Sequence, residues 1–471
     1  YNPVGQPSTV TNAKSEITRF FYDPDGDPAG SRLPGGARDP DATGYLVAID
    51  GPLSGTGDTA TIEYDGFGRA RILTDTEGYA VTTDYDDLDR PTLVTYPDTT
   101  TRQIVYERLD VKYSKDRRGR ITALEHNAIR QMVTSTDPLG RVTQFGWCKC
   151  GDLRLLVDPK GNTTTWTHDV QGRVNTKTFP DNTTLTYHYE TTNSRLKSVT
   201  DAKAQVTAYA YFKDNQLDEI TYTGAVGTPT VSYTYDSVYP RIASMTDGIG
   251  TTTYGYYDIP DGPTPSPGPD PGDGQLHTID GPWANDTITY VYDELGRVTN
   301  RSINTTANET TFVYDTLGRV EEIENLLGTF AYTYVNATGR LDSIAYPNGQ
   351  ATNYSYFNNA GDQRLQQIEN LKPNSSNLST FTYTYDAEGI IQQWTRKFDA
   401  GSVLTSTFKY DLADQLRDAA VPTAAGVVKN HYYRYDKAGN RTSEQIDAVS
   451  HAYTTNNLNQ VTALATGGPI R

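Results

Sequence analysis

Apolar and polar residues alternate with a period of two along most of this chain. In Phe381-Thr382-Tyr383-Thr384-Tyr385 the aromatic rings fall on one face of an extended segment and the threonines on the other. The same alternation is built around Tyr-x-Tyr pairs at Tyr187/Tyr189, Tyr209/Tyr211, Tyr233/Tyr235, Tyr254/Tyr256, Tyr290/Tyr292, Tyr332/Tyr334, Tyr354/Tyr356, Tyr383/Tyr385 and Tyr433/Tyr435. Tyr and Thr favour a pleated, half-buried surface, so the pattern predicts strands and excludes a helical bundle.

The breaks between these segments repeat as well. Tyr290-Val291-Tyr292-Asp293-Glu294-Leu295-Gly296-Arg297-Val298 returns as Phe312-Val313-Tyr314-Asp315-Thr316-Leu317-Gly318-Arg319-Val320. With the Asp altered, it returns as Tyr332-Thr333-Tyr334-Val335-Asn336-Ala337-Thr338-Gly339-Arg340-Leu341. The spacings Tyr292→Tyr314→Tyr334→Tyr356 are 22, 20 and 22 residues. Tyr64-Asp65-Gly66-Phe67-Gly68-Arg69 and Tyr85-Asp86-Asp87-Leu88-Asp89-Arg90 lie 21 apart, and Tyr385-Asp386, Tyr410-Asp411 and Tyr435-Asp436 continue the series at longer intervals. Degenerate copies include His168-Asp169-Val170-Gln171-Gly172-Arg173 and Tyr235-Asp236; Asp137-Pro138-Leu139-Gly140-Arg141 and Asp158-Pro159-Lys160-Gly161-Asn162 keep step with them.

Each copy reads as one β-hairpin. Asp-x-x-Gly-Arg fits a type I turn whose Asp accepts backbone N–H groups and whose Gly supplies a positive φ. The Arg is placed to pair with an Asp of its own or a neighbouring copy. A unit of about 20 residues cannot bury its own face, so copies must stack into one sheet with the tyrosines forming ladders across it. A sugar-binding aromatic surface is the functional alternative, but recurrence in every copy is what packing demands.

Composition sharpens this picture. The chain is 36% hydrophobic, below the roughly 45–50% apolar content of ordinary globular domains, while 11% aromatic residues argue against disorder. A net charge of −17 repels phosphate backbones and anionic membrane surfaces, so nucleic acid is not an expected partner. No apolar run is long enough for a spanning helix. The start at Tyr1, without Met or a leader-like segment, leads us to expect a processed product or a piece of a longer protein. Two Pro/Gly-rich stretches interrupt the repeats, one opening at Asp23-Pro24-Asp25-Gly26-Asp27-Pro28 and running to about Pro40, the other at 259–274. The expected organisation is an N-terminal extension over 1–60, a repeat block over 61–258, a loop or linker over 259–274 and a second repeat block over 275–471.

The Tyr-Asp-x-x-Gly-Arg motif with an apolar residue after the Arg, nearly intact at Tyr64, Tyr292 and Tyr314, resembles that of the RHS/YD-repeat family. The resemblance covers roughly residues 61–465, with Phe21-Tyr22-Asp23 as an outlying copy. It implies an all-β fold: tandem hairpins wound into a continuous spiral sheet, shell or tube. Members include toxin-encapsulating bacterial cocoons, secreted or wall-associated bacterial proteins, and the extracellular teneurins. In toxin members a core segment and a variable toxin domain follow the repeats; neither is recognisable after the last degenerate copy here.

Candidate chemistry is sparse. Phosphate-loop, zinc-protease and nucleophile-elbow motifs do not occur, and the histidines His126, His168, His188, His277, His431 and His451 stand singly. His168 takes the Tyr place of its copy and reads as a replaced ladder residue. Carboxylate pairs such as Asp86/Asp87 and Glu321/Glu322 fall in turns or on outward strand positions. We therefore expect no enzyme activity and no cofactor. Cys148-Lys149-Cys150, read as strand, puts two sulfurs on one face, open to a structural role, a soft metal or cysteines of another chain. Asp23, Asp25 and Asp27 begin like a calcium loop, but Pro28 and Pro34 stand where such a loop needs Gly and Glu.

The expected function is that of a non-enzymatic extracellular or cell-surface structural protein that self-assembles into a fibre, tube or shell. Its expected partners are copies of itself or flanking parts of a longer polypeptide. The alternatives are a wall segment of a toxin-enclosing cocoon and a teneurin-like adhesin for glycans or cell-surface proteins.

Overall fold

A computed structural model describes residues 1–2, 5–23, 44–225, 227–258 and 271–467. The Pro/Gly-rich stretch from Pro24 to Pro40, with Asp25 and Asp27 of the calcium-like segment, and residues 259–270 of the second interruption lie outside them.

The described residues form an open, antiparallel sheet of 39 strands. Their one helical segment is a 3-10 turn at Asn359–Gly361. Strands follow one another as hairpins: Thr305–Tyr314 pairs with Val320–Asn325, which pairs with Gly328–Tyr334, which pairs with Leu341–Ala345.

The alternation seen in the sequence decides the two faces. In Gly328–Tyr334, Thr329 and Thr333 are exposed, while Phe330, Tyr332 and Tyr334 are half-buried. The residue just before the motif Tyr faces solvent, as at Glu63, Val291, Val313, Thr333 and Thr384. The described residues hold no strand outside this sheet, and among their apolar residues only Ala48 and Ala419 are fully buried. Cohesion therefore rests on backbone pairing and on polar and aromatic side chains more than on an oil-like core.

One regularity was not foreseen. The register slips by one residue immediately before the motif Tyr, for example between Glu63 and Tyr64, Val313 and Tyr314, and Thr333 and Tyr334. Tyr314 faces Val320 and Val313 faces Glu322, so the return strand carries one extra residue, Glu321. This is a β-bulge beside a turn that ends in a left-handed residue, and it adds twist at the hairpins that carry the motif Tyr.

The chain divides into two compact units, one comprising Tyr1–Ile121, Thr310–Tyr410 and Ala419–Lys429, the other Thr122–Glu309, Asp411–Asp418 and Asn430–Arg471. Each unit joins hairpins far apart in the sequence, for a reason that the turns explain.

Candidate functional site

The turn is the chemically dense part of each repeat. In Asp315-Thr316-Leu317-Gly318-Arg319 the carboxylate Oδ1 of Asp315 accepts the N–H groups of Leu317 and Arg319, each at 2.9 Å. Oδ2 takes the Arg319 Nε at 2.7 Å, and Gly318 has φ +79°. The Asp and Arg thus close their own turn, as expected.

The Arg then reaches forward. Arg319 Nη1 donates to the carbonyls of Asn336 and Thr338 at 2.7 and 2.6 Å, and the guanidinium lies 4.4 Å from the centre of the Tyr334 ring. Tyr334 reaches back, its hydroxyl donating to the Val320 carbonyl at 2.7 Å. A closed relay links each hairpin to the next. At the N-terminal copies Arg69 binds Asp65 and the Asp86 carbonyl, each at 2.7 Å, while the Tyr85 hydroxyl returns to the Ala70 carbonyl at 2.7 Å. Arg69 also pairs with Asp89 of the following turn at 3.0 Å, and Arg90 with Asp86 at 2.6 Å. The copy of Asp293 and Arg297 repeats the turn, with Gly296 at φ +72°.

The back-donation recurs at Tyr189, Tyr211, Tyr256, Tyr292, Tyr356, Tyr385, Tyr410 and Tyr435, at 2.7–2.9 Å. Trp147, not recognised in the sequence as a copy, makes the same contact with its Nε1–H to the Met132 carbonyl at 2.8 Å. The ladder is therefore composite. Rings meet at Phe212–Tyr235 and Phe357–Tyr385, whereas Arg69, Arg90, Arg173, Arg195, Arg319 and Arg340 each lay a guanidinium over the next Tyr at 4.1–5.0 Å. Hydrogen bonds from Arg90 and Arg173 hold the carboxyls of Asp86 and Asp169 below the usual range. Burial pushes the Tyr334 and Tyr356 hydroxyls up, which keeps them as donors.

Some copies depart from this scheme. The turn after Tyr334 is one residue longer, closes from Val335 to Arg340, and uses Asn336 at φ +45° in place of Gly339. Gly339 therefore does not supply the positive φ that the motif leads one to expect. In the copy at Tyr85, Asp89 itself stands at φ +59°. The turns of Asp386, Asp411 and Asp436 have Ile390, Gln415 and Asn440 in the Arg place, and the carboxylates still accept two N–H groups each at 2.9–3.0 Å.

What replaces the missing Arg comes from far away in the chain. In the first unit Arg118 pairs with Asp386 at 3.0 Å. Beside it, Arg117 pairs with Asp98 at 2.8 Å and Asp362 at 2.7 Å, and its N–H donates to Glu388 at 2.6 Å. Tyr79 donates to Asp362 at 2.8 Å, and Asn336 to Glu77 at 2.9 Å. Burial, then the Asp362 hydrogen bond, pushes the Tyr79 hydroxyl up to about 12. In the second unit Lys160 pairs with Asp436 at 2.9 Å, Arg141 donates to Gln415 at 3.0 Å, Asn459 to Asp158 at 3.2 Å, and Asn457 to the Pro180 carbonyl at 2.7 Å. Apart from Arg117 with Asp98, these partners are 245–301 residues apart in the sequence. Within each unit, then, the strip of hairpins returns to lie against an earlier stretch of itself, turn against turn, along a polar seam.

The cysteines do not lie in a strand. The strand Val142–Trp147 ends before them, because Trp147 holds the Tyr place and Cys148 the Asp place of a turn. Their sulfurs are joined as a disulfide.

No family model matches the chain. Over 136 residues it is 31% identical to the double-stranded DNA deaminase toxin A of Burkholderia cenocepacia (strain H111), a match spanning 28% of this chain and 9% of that protein. Among solved structures, TcdB2-TccC3 superposes with a TM-score of 0.74 at 15% identity, over 96% of this chain and 28% of that one. TcdB2-TccC3-Cdc42 gives 0.72 at 15% identity over 89% and 26%, and the Photorhabdus luminescens Tc holotoxin pore 0.71 at 14% identity over 95% and 26%. The chain therefore spans about a quarter of the solved chains and less than a tenth of the curated relative, and nearly all of it shares the fold of the former.

Proposed function

This chain has the RHS/YD-repeat fold, and from that premise we propose that it is a non-catalytic wall segment of a hollow shell, part of a longer secreted polypeptide. The observation that carries the reading is the seam. A strip that returns to lie against itself and is held there by Arg117, Arg118 and Lys160 is suited to forming a continuous wall. A single-layered sheet leaves one face to solvent and the other to contents, and few apolar residues are spent on a core. The solved relatives whose fold it shares are parts of multi-component toxin assemblies by name, which supports flanking parts of a longer polypeptide as the partners. The turn carboxylates and guanidiniums are engaged with one another, a pattern that favours scaffolding over catalysis.

The test is electron microscopy of the product of the complete reading frame, with limited proteolysis alongside. Hollow particles whose walls match these hairpins, enclosing a segment that resists protease until the particle is opened, are the expected result. Rods with a regular axial repeat would overturn it in favour of a self-assembling fibre. Solid particles whose segments are all cut at once would leave no shell at all.

A further inference from the structure

The turn Cys148-Lys149-Cys150-Gly151-Asp152 departs from the repeat twice within five residues. Its backbone is unaltered: Cys148 N–H donates to the Asp152 carbonyl at 2.9 Å, Gly151 N–H to the Cys148 carbonyl at 3.2 Å, and Gly151 stands at φ +98°. Cys148 replaces the opening Asp, and its sulfur takes over the acceptor role, receiving the N–H groups of Cys150 and Asp152 at 3.2 and 3.3 Å. Asp152 stands where Arg69, Arg141, Arg297 and Arg319 close their turns. The two changes remove the acid–base pair that closes those copies. In its place they gather two sulfurs and a carboxylate, whose ligand atoms lie within 4.8 Å of one another.

The disulfide has little to staple. A bond between residues two apart encloses a loop already closed by two backbone hydrogen bonds, so it restrains the unfolded chain far less than a long-range bond does. Cys150 is exposed, and an exposed disulfide is open to attack by a thiolate. The flanking turns touch this one: Gln131 Nε2 donates to the Gly151 carbonyl at 3.2 Å, and Gly172 lies against Asp152, where a side chain would crowd the carboxylate.

We propose that Cys148 and Cys150 are a reducible pair whose dithiol form, together with Asp152, binds one soft or borderline divalent cation such as zinc or cadmium. A small dithiol supplies two electrons and two protons, breaks the S–S bond and leaves as its own cyclic disulfide, giving two protein thiols. The cation displaces the two thiol protons and takes two thiolates and the Asp152 carboxylate, with water completing its shell. The N–H groups aimed at the Cys148 sulfur favour it as an anion. A small-molecule disulfide reverses the step: it takes the two electrons, leaves as two thiolates, re-forms the Cys148–Cys150 bond and so releases the cation.

The experiment is a cadmium titration of the full chain, oxidised and dithiol-reduced, followed by sulfur-to-cadmium charge-transfer absorbance. The reduced chain is expected to bind one equivalent and the oxidised chain none. Cys150→Ser is expected to abolish the band, and Asp152→Asn to keep it with an affinity lower by about tenfold. Reduced wild-type chain alkylated with iodoacetamide must behave as Cys150→Ser does, which keeps the test sound if that variant folds poorly. No band in the reduced chain, or an unchanged band in the alkylated chain, overturns the proposal.

Discussion

At the scale of the residue, the hydroxyl of one tyrosine and the guanidinium of one arginine do most of the joining. Tyr334 serves as a hydrogen-bond donor to Val320 and as the platform under Arg319. Tyr334→Phe keeps the ring and removes the donor to the Val320 carbonyl. The expected loss is about 1 kcal/mol, read from the denaturant midpoint. Arg319→Lys is the harsher change, because an ammonium cannot hold Asp315, two carbonyls and a ring face together; about 2 kcal/mol is expected. Amide exchange should show both losses confined to the hairpins between about residues 305 and 345, as a nearest-neighbour stack requires. The Asp–Arg pair was legible in the sequence because both partners lie in one turn. The back-donation was not, since it runs to a backbone carbonyl that no side chain announces. Trp147 shows the difference: only the donor geometry identifies it as a Tyr equivalent.

At the scale of the element, the hairpin depends on a left-handed residue at the end of its turn. Gly318 occupies that place at φ +79°, and Ala204 occupies it at φ +60° in the turn that opens at Asp201. The two positions predict opposite signs: Gly318→Ala should destabilise by about 1–2 kcal/mol, while Ala204→Gly should be neutral to stabilising by up to about 1 kcal/mol. Paired thermal melts decide it. Strand positions and turn places were readable from the period-two alternation and the 20–22 residue spacing. The bulge before each Tyr was not, because an extra residue in the return strand leaves the alternation on either side intact. The same ambiguity misplaced the cysteines: the alternation of Gln144-Phe145-Gly146-Trp147 runs on into Cys148 without a visible stop.

At the scale of the whole molecule, stability turns on the polar seam within each unit. Burial works against the Asp436 and Asp158 carboxylates. Lys160 and Asn440 for Asp436, and Asn162 and Asn459 for Asp158, outweigh it and hold both below the usual range. A carboxyl whose folded value is depressed contributes stability that is complete above its unfolded value of about 3.9 and fades as the pH falls through the lower folded value. The seam should therefore hold down to about pH 4 and part below it, seen as a falling melting temperature and new protease cuts near Lys160 and Asp436. At the alkaline end Tyr79 has the opposite sign. Its hydroxyl, raised to about 12, contributes stability that is whole below about pH 10 and lost as the pH climbs through 12. Nothing local in the sequence could show which turns would meet 245–301 residues apart. Only the absence of an Arg beside Asp386 and Asp436 hinted that a cation must come from elsewhere.

The relay between hairpins also has a mechanical meaning. Where the relay is complete, as from Arg69, Arg90, Arg195 and Arg319, the Arg grips the hairpin after it and the Tyr the one before, so tension on the strip is shared by a few polar bonds at a time, as in a zip fastener. A core that must rupture as a block resists force and then fails at once; this strip can yield tooth by tooth. Each tooth releases about 20 residues, or about 70 Å of extended chain. A strip built in this way can be drawn open along its length without first being melted through.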